Sequence, residues 1–296
     1  MINRVLEEKL KEYSIASGLD QENVLQELVQ QYILAGLSRA GLFSSAQAVF
    51  HGGTCLRIVY GMNRFSEELA FFLKRPDLDF QWGRYLSSIL KDAAGEGFRF
   101  TIQDKSAEPG AVRKAMIRAE SIGKSPLLDL PYERDPRKLI KVKLEIDVNP
   151  PPGSIYETRY IAFPVTAAMT TQALESGFAM KIGAMLGRTY TKGRDWYDFI
   201  WYVNKKTVPD FGLLGNSLDQ QGPWAGRKVE VDSDWLEKSL RGRIAEIDWD
   251  VARRDVERFL PNREQEALKL WGREFFLHYL GVLMGRLRAS SEGVRS

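Results

Sequence analysis

Two adjacent glycines follow a short apolar run near residue 50, a pattern that could bind a phosphate. The run at residues 48–50 is typical of the end of a buried strand, and Gly52 and Gly53 come soon after it. Glycine has no Cβ, so its backbone can approach a phosphate closely, and the N–H groups at the start of a following helix face such an anion. Residues 54–60 read as that helix. The pattern therefore predicts half of a nucleotide site.

A short acidic segment follows, and its spacing matters because paired carboxylates on one strand face can hold divalent metal. Residues 68–73 read as a strand, on which Glu68 and Ala70 point to the same side. Asp77 and Asp79 have the same i, i+2 spacing, but a preceding proline favours a loop there. They are a second acidic candidate, with a solvated turn as the favoured interpretation.

The stretch FHGGTCLRIVYGMNRFSEELAFFL, residues 50–73, resembles the bacterial AbiEii/AbiGii nucleotidyltransferases, the toxin halves of type IV toxin–antitoxin systems. In that family a GG[ST] turn is followed by R-x-S-x-D-L-D-F, whose two aspartates hold divalent metal. The resemblance implies that the turn and its neighbours bind the triphosphate of an NTP. These residues are Gly52, Gly53, Thr54, Arg64 and Ser66.

The acidic pair departs from the family pattern. The first aspartate corresponds to Glu68 and the second to Ala70. Alanine has no oxygen to offer, and the longer glutamate would strain the octahedral geometry that Mg²⁺ requires. The resemblance therefore implies a Mg²⁺ site that is weakened or absent. Either the chain is a degenerate relative, or it carries an inactivating change in an otherwise competent enzyme.

A clear strand, KLIKVKLEIDV at residues 138–148, carries the third carboxylate that the resemblance implies. Apolar residues alternate with charged ones along it, as in a strand with one buried face. By resemblance, Asp147 is a catalytic carboxylate and binds metal together with Glu68. A solvated polar face on an edge strand is the alternative for Asp147, and it applies more strongly to Glu145.

A second signature lies in the following part of the chain. KGRDWYDF at residues 192–199 resembles the family's K-x-R-D-x-x-D-[LF] segment. The resemblance implies that Lys181 and Arg188 contact the nucleotide phosphates and that Lys181, Asp195 and Asp198 are catalytic. The two aspartates are three residues apart at a helix start, so they share a face. The structural alternative is that Asp195 pairs with Arg188 or Lys181 and joins two helices.

The elements around these motifs indicate the fold. Residues 1–42 read as helices, residues 166–188 lead into another helix, and residues 205–231 have the composition of a loop. Together with the resemblance, these patterns predict an α+β fold. We expect a nucleotidyltransferase-like mixed sheet flanked by helices in residues 1–160 and a mostly helical C-terminal domain in residues 161–296.

Composition excludes several other classes of protein. The chain has 296 residues, a net charge of +3 and 27% charged residues, which is ordinary for a globular protein. Cys55 is its single cysteine, and His51 and His278 are its two histidines, so an internal disulfide and a Cys/His metal cluster are excluded. No stretch approaches twenty apolar residues and the first residues are charged, so we expect no membrane contact and a cytoplasmic location.

The resemblance implies a function: transfer of a nucleoside monophosphate from an NTP to an RNA, with the 3′ end of tRNA as the favoured acceptor. The protein would be a toxin, and its partner a cognate antitoxin protein. Ala70 leaves its activity as an enzyme undecided. One alternative is a non-catalytic protein of the same fold that binds nucleotide or antitoxin. Another is an RNA-binding module that uses the basic C-terminal helices.

Overall fold

A seven-stranded mixed sheet organises the first part of the chain. The computed structural model describes residues 2–120, 130–133, 135 and 137–293. Its strands are β1 (Ala48–His51), β2 (Glu68–Leu73), β3 (Phe100–Lys105), β4 (Val112–Ala119), β5 (Ile140–Asp147), β6 (Tyr156–Ile161) and β7 (Ala167–Gln172). Their order across the sheet is β3-β4-β5-β2-β1-β7-β6.

Strand β2 lies at the centre of this sheet. It pairs antiparallel with β1 and parallel with β5. Along β5, buried residues alternate with more exposed ones, and the side chains of Val142, Leu144 and Ile146 are fully buried. Because successive side chains point to opposite faces, the charged residues of β5 share the other face of the sheet. Register between strands then decides which charges are neighbours.

Helices flank the sheet, and in the described part of this region they are α1 (Ile2–Leu10), α2 (Gly18–Arg39), α3 (Gly52–Ile58) and α4 (Gly83–Gly95). Helix α2 begins after Ser17, whose hydroxyl accepts a hydrogen bond from the N–H of Asp20 at 3.0 Å. That bond satisfies one of the free donors at the helix start. Most of α2 is buried, and it packs against β5 and α4.

The second part of the chain is helical. Its helices are α5 (Leu174–Gly187), α6 (Gly193–Asn204), α7 (Phe211–Gln220), α8 (Ser233–Glu246), α9 (Trp249–Glu257), α10 (Asn262–Gln265) and α11 (Arg273–Gly293). Aspartate carboxylates accept backbone N–H groups at the starts of α7, α8 and α9. Such N-caps explain where these helices begin.

Helix α7 corrects the prediction of a loop over residues 205–231. Asp210 caps its start, and Leu213, Leu214 and Leu218 are buried on its inner side. The glycines and polar residues of this segment suggested low helical character. Apolar burial outweighs that weak local preference, since propensity alone rarely decides a helix.

The chain divides into two compact units. The first contains Met1–Pro150 and Tyr156–Thr171, and the second contains Pro151–Ile155 and Gln172–Ser296. The predicted α+β class, with a nucleotidyltransferase-like sheet and a helical C-terminal region, is confirmed. Strand β7 belongs to the sheet through its parallel pairing with β1, although the sequence pattern placed no strand after residue 160. Among the described helices, none has the length and apolarity that crossing a membrane requires.

Candidate functional site

Gly52 and Gly53, called the glycine turn below, directly follow β1 and are the first two residues of α3, beside position 70 of β2. Gly52 has a φ of +76°, a left-handed conformation that favours glycine. The register of β1 and β2 places His51 opposite Ala70. A Cβ on Gly52 would lie 3.5 Å from the Ala70 Cβ, at ordinary van der Waals distance. The turn and the second position of the acidic pair are therefore neighbours.

Two side chains fix this turn against the neighbouring strand. The Arg64 guanidinium is buried and lies against Gly53, so that a Cβ at position 53 would collide with it. Arg64 Nη1 also donates to the Phe65 carbonyl at 3.0 Å. The Thr54 hydroxyl donates to the backbone carbonyl of Glu68. These contacts hold the turn in one conformation.

Helix α2 positions the segment that enters β2. Gln30 Nε2 donates to the Ser66 carbonyl at 2.8 Å, and Gln26 Nε2 donates to the Lys141 carbonyl at 2.6 Å. Ser66 itself is half-buried at this point. The two glutamines are not predictable as strand contacts from the sequence, because a polar residue in a helical pattern shows no sign of the strand it will contact. Their i, i+4 spacing on one helix face is the signal that was present.

Charged residues of β2 and β5 form an ion-pair group on one face of the sheet. The parallel register places Glu68 opposite Lys143 and Ala70 opposite Glu145. Lys143 Nζ lies 2.6 Å from Glu145 Oε1 and 3.5 Å from Glu68 Oε2. Burial alone would lower the pKa of Lys143, but hydrogen bonding and charge from the two glutamates raise it overall. The ammonium is therefore held in its charged form between two carboxylates.

Asp147 lies further along the same face. It is opposite Phe72, four residues beyond Glu68 on β2, which corresponds to about 13 Å along the strand. Its carboxylate accepts the N–H of Asn149 at 2.9 Å, and burial raises its pKa above the ordinary value. The structure therefore does not bring Asp147 beside Glu68. The acid next to position 70 is Glu145, which pairing register identifies and the local sequence pattern does not.

The residues on this face do not fit a divalent metal ion. Position 70 offers no oxygen, and Glu68 and Glu145 both pair with Lys143. In the described parts of the chain, no group of three or more His, Cys, Asp or Glu side chains could hold a metal ion. Mg²⁺ needs an octahedral shell of oxygens at about 2 Å, mostly from carboxylates, phosphates and water. The acidic face supplies too few free carboxylates for such a shell.

The second unit contains a buried ion-pair cluster formed by α5 and α6. Lys181 Nζ lies 2.8 Å from Asp195 Oδ1 and 2.7 Å from Asp198 Oδ2. The two aspartates are three residues apart on α6, so both face α5. Their side chains are 3% and 0% exposed, respectively. The structure therefore brings Lys181, Asp195 and Asp198 together in one buried ion-pair cluster.

Arg188 extends this cluster at the end of α5. Its Nε lies 3.0 Å from Asp195 Oδ2, an ion-pair distance at which the two atoms are not aligned for a hydrogen bond. Burial would raise the pKa of Asp195, but charge from Lys181, Arg188 and Lys192 outweighs it and lowers that pKa to about 2. Burial lowers the pKa of Lys192. The cluster thus carries three basic side chains around a carboxylate that stays ionised.

Comparison with protein families identifies the family of this chain. The family described as Nucleotidyl transferase AbiEii toxin, Type IV TA system, matches residues 32–273. This span covers most of the chain and includes both the glycine turn and the Lys181 cluster. The chain belongs to the AbiEii family. Its glycine turn, its β2 acidic position and its Lys181 cluster all lie within the AbiEii match.

Solved structures share the AbiEii fold seen here. JHP933 from Helicobacter pylori is 20% identical, covers 91% of this chain and 97% of its own, and has a TM-score of 0.51. Another H. pylori structure, titled as a nucleotidyltransferase candidate, gives the same values. At this identity these matches show the fold alone.

One of the matching structures is that of a toxin. MenT4, a nucleotidyltransferase toxin from Mycobacterium tuberculosis H37Rv, is 17% identical, with coverage of 96% of this chain and 99% of that chain and a TM-score of 0.49. A search of curated proteins gave no match. Membership of the AbiEii family therefore rests on the match over residues 32–273.

Proposed function

We propose that this AbiEii chain transfers a nucleoside monophosphate from an NTP to an RNA, with the 3′ end of tRNA as acceptor. The observation that carries the proposal is the family match over residues 32–273. In the reaction, the acceptor 3′ oxygen bonds to the α-phosphorus and the α–β phosphoanhydride bond breaks. Pyrophosphate leaves, and the hydroxyl proton passes to solvent.

Residue roles follow from family resemblance and from the local contacts. In the first unit, the backbone of the Gly52–Gly53 turn and the Ser66 hydroxyl bind triphosphate oxygens, while Arg64 and Thr54 keep the turn in place. A rigid turn loses little conformational entropy when it binds phosphate.

In the second unit, Lys181 and Arg188 supply positive charge for phosphate oxygens. Asp195 and Asp198 hold the Lys181 ammonium in place. The proposed partners are therefore an NTP, an RNA acceptor and, as in other toxin–antitoxin systems, an antitoxin protein. We propose a cytoplasmic location, where all three are found.

The acidic face limits the rate that we propose for this chain. Because Glu68, Ala70 and Glu145 do not fit a divalent ion, no step of transfer is assigned to a metal here. Transfer by the wild-type chain is therefore slow compared with a chain that has both strand aspartates. Mg²⁺ adds little to wild-type activity for the same reason.

The composition of the acidic face favours a second candidate function. Ala70 and the Lys143 ion pairs suit a protein that keeps the AbiEii fold to bind nucleotide or antitoxin without catalysis.

An RNA-binding module is less favoured, because several C-terminal arginines are held by contacts within the chain. Arg253 donates to the Trp271 carbonyl, Arg286 to the Val203 carbonyl, and Arg288 pairs with Glu237.

Labelled-NTP incorporation into tRNA tests the proposal. Two combinations of substitutions are tested. The first is Glu68→Asp/Ala70→Asp, and the second adds Lys143→Met to free the carboxylates. We expect at least about a hundredfold more incorporation than in the wild type with Mg²⁺, because metal clamps supply several kcal/mol of transition-state stabilisation. Asp195→Asn in the same background should abolish the gain. Asp77→Asn, in an exposed turn, is the matched control and should leave it unchanged.

The outcomes separate the candidate functions. Gain of transfer in either combination supports the nucleotidyltransferase. If both combinations stay silent while still binding labelled NTP, the chain is a non-catalytic member of the family. If neither the wild type nor the variants bind any NTP, with or without Mg²⁺, the proposed nucleotide function is wrong. Binding of tRNA would then support the RNA-binding module.

A further inference from the structure

Lys143 has an unusual place on the acidic face. Lys143 follows the apolar Val142 on β5 and lies directly across from Glu68 on β2. Glu145, two residues further along β5, lies across from Ala70. Adjacent strands are about 4.8 Å apart, and alternate residues along a strand share a face at a spacing of about 6.6 Å. The Lys143 side chain can therefore reach both glutamates, and it does so at 2.6 and 3.5 Å.

The neighbouring strands β4 and β1 bring further groups close to Lys143 and the two glutamates. On β4, Lys114 is opposite Glu145 and Met116 is opposite Lys143. Lys114 is exposed, and among the ion pairs of the described residues Glu145 is matched with Lys143. On the β1 side, the Gly52 turn lies beside position 70. A cation placed between Glu68 and Glu145 is thus next to the proposed phosphate-binding turn.

We propose that the Lys143 ammonium takes the position between Glu68 and Glu145 that a divalent cation would otherwise occupy, and so determines that this sheet face excludes such a cation. The inference rests on the proposed function only in expecting a divalent cation at this face in family members that have both aspartates. It concerns metal preference, so nucleotide bound at the glycine turn of this chain should bind equally well with and without Mg²⁺.

The physical argument combines charge and geometry. A single positive charge on a flexible stem neutralises part of the charge on two carboxylates and donates hydrogen bonds to both. An incoming divalent ion would be repelled by that ammonium, and it would also take the carboxylates away from it. Ala70 removes the oxygen that would favour the ion in this competition. The lysine and the alanine therefore act in the same direction.

Direct measurement of Mn²⁺ binding tests this inference without any assay of transfer. Free Mn²⁺ is followed by electron paramagnetic resonance in titrations of the full-length wild type, Ala70→Asp, Lys143→Met and Ala70→Asp/Lys143→Met. We expect no saturable binding by the wild type. In the Ala70→Asp background, Lys143→Met should tighten Mn²⁺ binding by about tenfold or more, because one repelling charge is removed.

Lys105→Met is the matched control in the Ala70→Asp background. Lys105 is also a strand lysine, pairs with Glu108 at 2.9 Å, and is 39% exposed compared with 40% for Lys143. It should leave Mn²⁺ affinity unchanged. The inference is overturned if the wild type binds Mn²⁺ saturably, or if Lys143→Met and Lys105→Met have the same effect on Ala70→Asp.

A second readout guards against misfolded variants. Thermal unfolding followed by circular dichroism should show that Mn²⁺ raises the melting temperature of Ala70→Asp/Lys143→Met and leaves that of the wild type unchanged, since a ligand stabilises only the state that binds it. If the double variant does not fold without metal, refolding on Mn²⁺ addition supports the inference and continued unfolding contradicts it. Failure of transfer with successful Mn²⁺ binding would count against the proposed function alone.

Discussion

Asp195 is a buried carboxylate that its surroundings keep ionised. Its side chain is 3% exposed, yet its pKa is lowered to about 2. Burial favours the neutral form, and the charges of Lys181, Arg188 and Lys192 overcome it. Such a carboxylate stabilises the folded protein at every pH at which it is charged in both the folded and the unfolded state. The stability of the second unit therefore depends on pH.

Replacing Asp195 with asparagine should therefore destabilise the protein most at neutral pH. The folded pKa is depressed from 3.8 to about 2, so the stabilisation is fully present above pH 4 and is lost as the pH falls through 2. The difference in unfolding free energy between wild type and Asp195→Asn should shrink by roughly 2 kcal/mol from pH 6 to pH 2. Denaturant titrations at several pH values measure it.

An exposed ion pair provides the control for that measurement. Glu266 pairs with Lys269 at 2.6 Å, and both side chains are more than 70% exposed. Glu266→Gln should change stability by less than about 1 kcal/mol at either pH. A difference for Asp195→Asn that is the same at pH 6 and pH 2 would contradict the assigned pKa.

Gly53 is the second residue at which a single substitution has a predictable effect. A methyl group at this position would collide with the Arg64 guanidinium, which is buried and would have to move aside. Gly53→Ala should lower the unfolding free energy by about 1–3 kcal/mol, the usual cost of overpacking, and weaken nucleotide binding. Gly83→Ala, with no atom within 4 Å of its added methyl, should leave both unchanged. Equal stability of the two variants would show that Arg64 relocates freely.

Helix α6 depends on close packing at its first residue. A Cβ on Gly193 would collide with the backbone carbonyl of Ala252 on α9. The two helices are in extensive contact. Trp196 of α6 packs edge-to-face against Trp249 of α9, with 5.1 Å between the ring centroids. Because α6 also carries Asp195 and Asp198, the approach of α9 at Gly193 contributes to the position of the Lys181 cluster.

Gly193→Ala should consequently be among the most damaging small substitutions in this chain. Backbone cannot move aside as a flexible side chain can, so we expect a loss of about 3 kcal/mol or more, at the upper end of overpacking effects. Gly242→Ala in α8 meets no atom within 4 Å and should stabilise by up to about 1 kcal/mol through helix propensity. Thermal melts of both variants provide the measurement. If Gly193→Ala melts like the wild type, α6 and α9 pack less closely than described.

The molecule as a whole carries a modest net positive charge. Lysine and arginine together number 42 and aspartate and glutamate 39, giving a net charge of +3. Many of these charges pair within the chain, such as Arg57 with Glu27 at 2.6 Å and Arg39 with Asp92 at 2.8 Å. We therefore expect the proposed RNA acceptor to be bound through a small number of phosphate contacts.

Binding of tRNA should accordingly be weak and sensitive to salt. We expect the dissociation constant to rise by about tenfold between 50 and 200 mM salt, as counterion release predicts for a few phosphate contacts. Fluorescence anisotropy with labelled tRNA measures this, and an unlabelled DNA duplex serves as competitor. Affinity that does not change over this salt range would argue against electrostatic recognition of the acceptor.

Local patterns in the chain were sufficient for several features. Alternating apolar residues predict β5, the Gly52–Gly53 pair predicts a turn after β1, and i, i+3 spacing places Asp195 and Asp198 on one helix face. The structure contains β5 and the shared helix face, whereas Gly52 and Gly53 are the first two residues of α3 and do not form a separate turn before it. They are readable because helix and strand periods depend on neighbouring residues only. The family motifs added the fold and the residues of interest, again from short stretches.

Long-range pairing decided the rest. The register of β2 and β5 makes Glu145, rather than Asp147, the neighbour of position 70, and it places Lys143 between Glu68 and Glu145. Strand β7 joins the sheet by pairing with β1, more than a hundred residues earlier in the chain. Nothing in a short window encodes such pairings, because they are selected by burial of a whole sheet face. The charge environment of position 70 therefore became apparent only when the strands were aligned.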